Sequence, residues 1–396
     1  MGCRNSDKES DLVKPVYLDH NATTPVRPEV VEAMLPMFRE EFGNPSSVHT
    51  CGGGPRARRE EARARVAALL GCCPVEIVFT SGGTESDNHA LKGTAFALRD
   101  KGSHIVTSKV EHHAVLHTCR WLEQRLGFSV TYLGVDADGR VDPEAVRAAI
   151  TPATILVSIM TANNESGSIN PVAAIGRVCR ERGVLFHTDA VQAVGKIPTP
   201  VADWGVDLLS ISAHKIYGPK GAGVLYIREG VTIDPLLHGG GHEIGRRAGT
   251  EHTSGIVGLG KAAELARLDL DAEAAQLTVL RDDLWDRIQA QIPDVRLNGH
   301  PTQRLPNTLN VSFPRIEAES ALMLLDREGF AVSTGSACSS EDQEASHVLT
   351  AMGRSALEAR GAIRFSLGRD NSATDIDRLM ATLPGIIAKL RAMSPL

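Results

Sequence analysis

The sequence predicts an α/β fold, with a mostly parallel sheet in a larger domain and a smaller α+β domain after it. Three observations predict this. β-rich runs alternate with helical patterns from about residue 75 to 230. These runs are apolar, as strands covered by helices on both faces are. The alternation then stops near residue 258, where a long helical stretch begins. At 396 residues the chain also exceeds one core, since cores stop growing near roughly 250–300 residues.

Each element has its own reason. "VEIVFT" (75–80) is β-rich and ends in the turn "SGGT". "HIVTS" (104–108), "SVTYLGV" (129–135), "TILVSIM" (154–160), "VLFHTDA" (184–190) and "DLLSIS" (207–212) read the same way. Between them lie helical patterns such as "AVLHTCRWLEQRLG" (114–127) and "PVAAIGRVCRERG" (171–183). The second carries Pro early and Gly just past its end, the usual asymmetry of a helix. "GAGVLYI" (221–227) follows its predecessor so closely that an antiparallel neighbour is expected. Beyond 258, one long helical segment precedes the strand-like "TLNVSF" and "FAVSTG", and "DIDRLMATLPGIIAKLRAM" closes the chain as a helix.

Composition narrows the function. With 42 basic and 48 acidic residues the formal net charge is −6, against the basic excess of a nucleic-acid binder. Aromatic residues are only 4%, too few for a stacking platform for bases or sugars. No apolar run reaches the ~20 residues of a membrane span. Seven cysteines (Cys3, Cys51, Cys72, Cys73, Cys119, Cys179 and Cys338) form an odd set with no C-x-x-C pair. That fits a reducing cytoplasm better than a disulfide framework, and Cys72 and Cys73 read as structural. The start "MGCRNS" matches an acylation pattern too short to carry weight. No metal-ligand spacing stands out.

Chemistry collects at strand ends. In "SAHKIYGPKG" (212–221), Lys215 follows a buried strand between Ser212 and His214. A lysine leaving solvent there loses its proton more easily, as one that condenses with a carbonyl must. "TSGGTESDN" (80–88) joins a strand to a helix, and its glycines and helix N-terminus offer N–H groups to an anion at Gly83 and Thr84. "HTDAVQAVG" (187–195) puts Asp189 in an apolar setting, where a carboxylate needs a cation. "SKVEHHAVLH" (108–117) offers His112. Singly these are an ordinary turn, a core histidine and a surface lysine. Together, at the carboxyl ends where open sheets bind ligands, they are the parts that hold pyridoxal 5′-phosphate on a lysine.

The ordered set "YLDHNATTPV", "GNPSSVH", "FTSGGTESDN", "EHHAV", "ANNESG", "TDAVQAVGK", "SAHKIYGPKG", "HGGGHEIGRRAGT", "STGSACSS" and "IRFSLGR" resembles, nearly end to end, the cysteine desulfurases of iron–sulfur cluster assembly and nitrogen fixation. The resemblance implies fold type I of the pyridoxal-phosphate-dependent transferases, the aspartate-aminotransferase architecture. Residues 25–262 would form the large domain, and 1–24 with 263–396 the small one. It implies that Lys215 links covalently to the cofactor, Asp189 pairs with the pyridine nitrogen and Gln192 bonds the ring hydroxyl. Gly83, Thr84, Ser212 and His214 would hold the phosphate, joined by Thr250 from the other subunit of a homodimer. His112 would stack on the ring and move protons. Asn164 and Arg364 would hold the substrate carboxylate, with Asn44 nearby. The family departs at His20, where an aromatic or Asn is usual. The ending "RAMSPL" resembles the nitrogen-fixation-like members in lacking a longer extension.

Cys338 is otherwise hard to place. Its neighbours Ser333, Thr334, Gly335, Ser336, Ala337, Ser339 and Ser340 are too small to bury a thiol. The resemblance makes it the nucleophile that takes sulfur from L-cysteine as a persulfide, leaving L-alanine. The sulfur would go to an iron–sulfur scaffold or another acceptor protein. A thiol near pKa ~8.5 is mostly protonated at neutral pH, so His112 or the substrate must take its proton. Gly335 and Ala337 limit the backbone little, which suits a loop carrying sulfur between pocket and surface. Selenocysteine lyase is the alternative, since it uses nearly the same site. An aminotransferase or β-lyase would not need Cys338, and a scaffold that had lost the chemistry would not need the intact set.

Overall fold

The structure, a computed structural model, describes residues 15–335 and 345–394. Its strands, in chain order, are β1 (Val16–Tyr17), β2 (Ile77–Thr80), β3 (His104–Ser108), β4 (Ser129–Leu133), β5 (Thr154–Ser158), β6 (Leu185–Asp189), β7 (Leu208–Ser212), β8 (Gly223–Ile227), β9 (Arg296–Asn298), β10 (Thr308–Ser312), β11 (Phe330–Ala331) and β12 (Ala362–Ser366). Seven form one sheet in the order β2-β8-β7-β6-β5-β3-β4. Strand β8 is antiparallel to both β7 and β2, and the remaining pairings are parallel. Strand β2 therefore runs with β7, so β2, β3, β5, β6 and β7 all end on one edge.

The apolar runs read as doubly covered strands because neighbouring residues serve opposite faces. On one face Ile77, Phe79, Val106, Val157, Leu209 and Val224 join a core roofed by helices Thr50–Leu70 and Val172–Arg182 and the start of Thr253–Gln291. On the other, Val78, Ile105, Leu156, Leu208 and Leu225 meet helices Gly83–Ala97 and His113–Leu126. A third core surrounds the antiparallel sheet β12-β10-β9, with helices Ala318–Arg327 and Ala373–Met393. The chain's first strand, β1, pairs in parallel with β11 in this region. The 39-residue helix Thr253–Gln291 belongs to two cores: Ile256, Leu259 and Ala263 to the first, Leu277, Leu284 and Ile288 to the third.

Several boundaries move from their sequence-based positions. The run 75–80 begins as a short 3₁₀ turn, Pro74–Glu76, because the Glu76 carboxylate accepts the Cys73 N–H at 2.8 Å. "FAVSTG" pairs only at Phe330 and Ala331, with one further bridge from Ser333 to Arg364. Helix Thr50–Leu70 has no sequence signal at its start, where "TCGGGP" puts poor helix formers in the first turns. Among the described residues no helix is long and apolar enough to cross a membrane.

Candidate active site

A cavity of about 350 Å³ opens at the shared carboxyl edge of the large sheet. Gly83, Thr84, His112, Asn164, Asp189, Gln192, Ser212, His214, Lys215 and Arg364 all line it. Ten residues from scattered segments thus reach one place. Asn44 and Thr250, also expected near the ligand, do not line this cavity and are exposed in the chain described. Cys338 lies outside the described residues.

The anion cradle begins where β2 turns into helix Gly83–Ala97. Gly82 makes that turn at φ +151°, a region essentially closed to side chains. A Cβ on Gly83 would come within 2.8 Å of Val191 Cγ2, so glycine keeps this wall open. The helix presents its first amide N–H groups and its positive dipole end there. Ser212, the last residue of β7, stands beside this turn, and His214 follows it. Burial holds the His214 imidazole down at about 4, with Lys215 and Lys220 adding to the effect. His214 is therefore neutral, with Nδ1 3.1 Å from the Thr23 hydroxyl.

The opposite wall is acidic and buried. Asp189 ends β6, and its carboxylate accepts the Val191 N–H at 2.9 Å. Burial raises it to about 6, against the lowering by that N–H and by Lys215. Asp87 also lines the cavity, and its Oδ1 is buried without a hydrogen-bond partner among the described residues. Burial and then the Asp189 charge push Asp87 well above the carboxylate range. Glu111 rises to about 8, again chiefly from burial, although Ser108 Oγ (2.6 Å) and the Met160 N–H (3.0 Å) donate to it. Asp87 and Asp189, buried side by side at the cavity wall, favour a positive ring nitrogen there.

His112 is both wall and helix cap. Its Nδ1 accepts the Ala114 N–H at 3.1 Å at the start of helix His113–Leu126, so a neutral ring carries its proton on Nε2. Burial, and then the Lys215 charge, lowers it to about 4. The lysine itself donates from Nζ to the main-chain carbonyls of Asn21 and, at 2.7 Å, Ala22. Arg364, on β12, reaches across from the small sheet. It donates to Asp19 at 2.7 Å, to the Asn164 carbonyl at 2.9 Å and to the Gly335 carbonyl at 3.4 Å. Its Nε is buried with no partner among the described residues.

Residues not singled out from sequence also line the cavity: Asn21, Ala22, Asp87, Met160 and Val191. Asp87 had a signal, one helical turn after Gly83 and so on the same helix face. Asn21 and Ala22 had none, because they act through main-chain carbonyls. The fit to pyridoxal 5′-phosphate rests on two features of this pocket: the glycine-walled helix end for a phosphate, and a buried carboxylate facing a lysine for a cationic ring.

Residues 16–379 match the family model described as Aminotransferase class-V. A protein named cysteine desulfurase IscS from Methanosarcina thermophila is 56% identical over 383 residues, covering 97% of this chain and 94% of its own length. Another of that name, from Dictyoglomus turgidum, is 54% identical over 384 residues, covering 97% of each. A solved structure described as a NifS-like protein is 41% identical and superposes with a TM-score of 0.89, covering 95% of this chain and 100% of that one. A second, described as SspA in complex with cysteine, is 40% identical with a TM-score of 0.80, covering 89% and 98%.

Proposed function

The chain belongs to the class-V aminotransferase family, and we propose that within it the protein is a pyridoxal-phosphate-dependent cysteine desulfurase. The observation that carries this reading is the convergence of Lys215, Asp189, His112 and Arg364 on one cavity with a glycine-walled anion cradle. Relatives of that name, similar over nearly the whole chain, support it. The net reaction is L-cysteine plus the Cys338 thiol giving L-alanine plus a Cys338 persulfide. The carbon–sulfur bond breaks, a sulfur–sulfur bond forms, and the freed carbon is reduced by the two electrons that the sulfur pair loses.

The cofactor, when bound, supplies an electron-withdrawing ring that stabilises negative charge at the substrate's α-carbon. Lys215 would hold it covalently, with its phosphate on Gly83, Thr84, Ser212 and His214 and its ring between His112 and Asp189. Gln192 would bond the ring oxygen. The Arg364 guanidinium, with Asn164, would clamp the substrate carboxylate, because a planar fork matches two carboxylate oxygens. His112 would exchange protons at Nε2 alone, since Nδ1 is engaged by the helix. Cys338 would attack the substrate sulfur as a thiolate.

The same reading divides the chain into a large domain (25–262) and a small one (1–24 with 263–396). It also makes the protein a cytoplasmic homodimer in which Thr250 serves the partner's site, with Asn44 near the substrate carboxylate. The persulfide would pass to an iron–sulfur scaffold or another acceptor protein. The test is mass spectrometry of the Cys338 peptide after brief exposure to L-cysteine. One added sulfur is expected in the wild type and none in Cys338→Ala. Alanine and sulfide produced at the full rate by Cys338→Ala would replace the reading with a β-lyase.

A further inference from the structure

Lys196 is a buried basic side chain, and the chemistry described above does not use it. Only 9% of its surface is exposed. It makes no ion pair among the described residues. Its hydrogen-bond partner is neutral: Nζ donates to Gln192 Oε1 at 2.9 Å. Behind it is a closed space of about 10 Å³, which His20, Tyr217, Glu273, Asn307 and Lys215 also line. That is room for about one water and not for a ligand. A buried ammonium with no ion pair is costly to the fold, which makes its hydrogen bond to Gln192 worth following.

What it serves can be read from Gln192. The amide makes two hydrogen bonds of opposite kinds: Oε1 accepts from Lys196, while Nε2 donates to the Asn21 carbonyl at 3.0 Å. A lysine can only donate and a carbonyl can only accept. Turning the amide over would therefore set N–H against ammonium and oxygen against oxygen. The donor end of Gln192 is thereby fixed toward the Asn21 carbonyl, the same oxygen that receives Lys215 Nζ. Nε2 carries a second N–H for a ligand in the cavity that Gln192 lines.

We infer that Lys196 is a positioning residue: by holding Gln192 Oε1 it commits the amide to presenting N–H to the cofactor's ring oxygen. This rests on the proposed function, because it supposes a ring oxygen at that place. Lys196 excludes the flipped amide while it is an ammonium; the neutral amine still donates to Oε1 but also carries a lone pair, so the preference weakens once the proton is lost. Burial, and then the Lys215 charge, brings Lys196 down to about 7, with Glu273 opposing and Arg364 adding to the fall.

The experiment compares pyridoxal 5′-phosphate retention by the full-length holoenzyme with that of its variants. The dissociation constant is measured by fluorescence, and the visible absorbance band of the bound cofactor is recorded. In Lys196→Met only the Asn21 carbonyl still orders the amide, so the dissociation constant should rise several-fold, up to about tenfold if the hydrogen bond is lost outright, and the band should move. Gln192→Leu should do the same, and the double variant should be no worse than Gln192→Leu alone. Gln192→Glu tests the orientation without touching the lysine. It keeps the acceptor for Lys196 but loses the N–H, and should retain cofactor at least tenfold less well.

A Lys196→Met protein with unchanged dissociation constant and band, effects that add in the double variant, or wild-type retention by Gln192→Glu would each overturn the inference. A wild-type protein that takes up no cofactor would overturn the proposed function as well, which separates the two failures.

Discussion

Replacing Arg364 tests the proposed substrate clamp most directly. Its side chain is 3% exposed and is anchored at three points. Nη2 donates to Asp19, and Nη1 donates to the Asn164 and Gly335 carbonyls. A guanidinium has five N–H donors, so these bonds leave Nε–H and one Nη2–H among the described contacts. Nε and Nη2 form the edge of a guanidinium that can face both oxygens of a carboxylate. Each charge-assisted bond contributes about 1.5–3 kcal/mol, and water entering the vacated space returns part of it. Removing both in Arg364→Leu should cost about 3 kcal/mol, roughly a hundredfold in kcat/KM and mostly through KM. Arg364→Lys keeps the charge but loses the fork, and should lose about tenfold. The assay is alanine formation across a range of L-cysteine concentrations, with the cofactor absorbance band and circular dichroism showing that the site and fold persist. An unchanged KM in Arg364→Leu, with the band intact, would refute the clamp.

Two further predictions concern the frame around the site. Glu243→Gln should destabilise the protein by about 1–3 kcal/mol, because Glu243 pairs bidentately with buried Arg63 at 2.8 Å and also accepts the Phe79 N–H, while Glu60 keeps its own pair with Arg63 at 3.0 Å; thermal unfolding measures it, and an unchanged midpoint would contradict it. His187 is fully buried between Ser158 and Ser210, and burial lowers it to about 3, below its unfolded value near 6.5. It is neutral when folded, so the stability it supports is complete above pH 6.5 and is lost as pH falls from 6.5 toward 3. About 2 kcal/mol should go between pH 6.5 and 5. Urea unfolding of the wild type should show that extra acid loss relative to His187→Asn; equal losses would show that this ring titrates alike in both states.

Much of the site was legible because its chemistry sits at strand ends, and strands that are covered on both faces announce themselves as apolar runs. Lys215, Asp189 and Gly83 each follow such a run within a few residues, so their meeting on one edge followed from a parallel sheet. Arg364 could not be placed that way. It comes from β12, in a different sheet, and no local pattern says that this strand leans over the other. The main-chain carbonyls of Asn21 and Ala22 were invisible because a carbonyl carries no residue identity. Helix Thr50–Leu70 was missed because its glycines and Pro55 argue against it locally. Tertiary contact overrides that: Arg63, three turns in, is held by Glu243 and the Ile77 carbonyl. His20 drew attention as an oddity, and it packs edge-on against Tyr17 at 4.9 Å between ring centroids.

The Thr253–Gln291 helix has a mechanical consequence. At about 1.5 Å per residue its 39 residues make a beam near 58 Å long, clamped by one core at its start and by another toward its end. Swinging either core about the other means flexing that beam, so the helix ties the wall that carries Arg364 to the wall that carries Asp189.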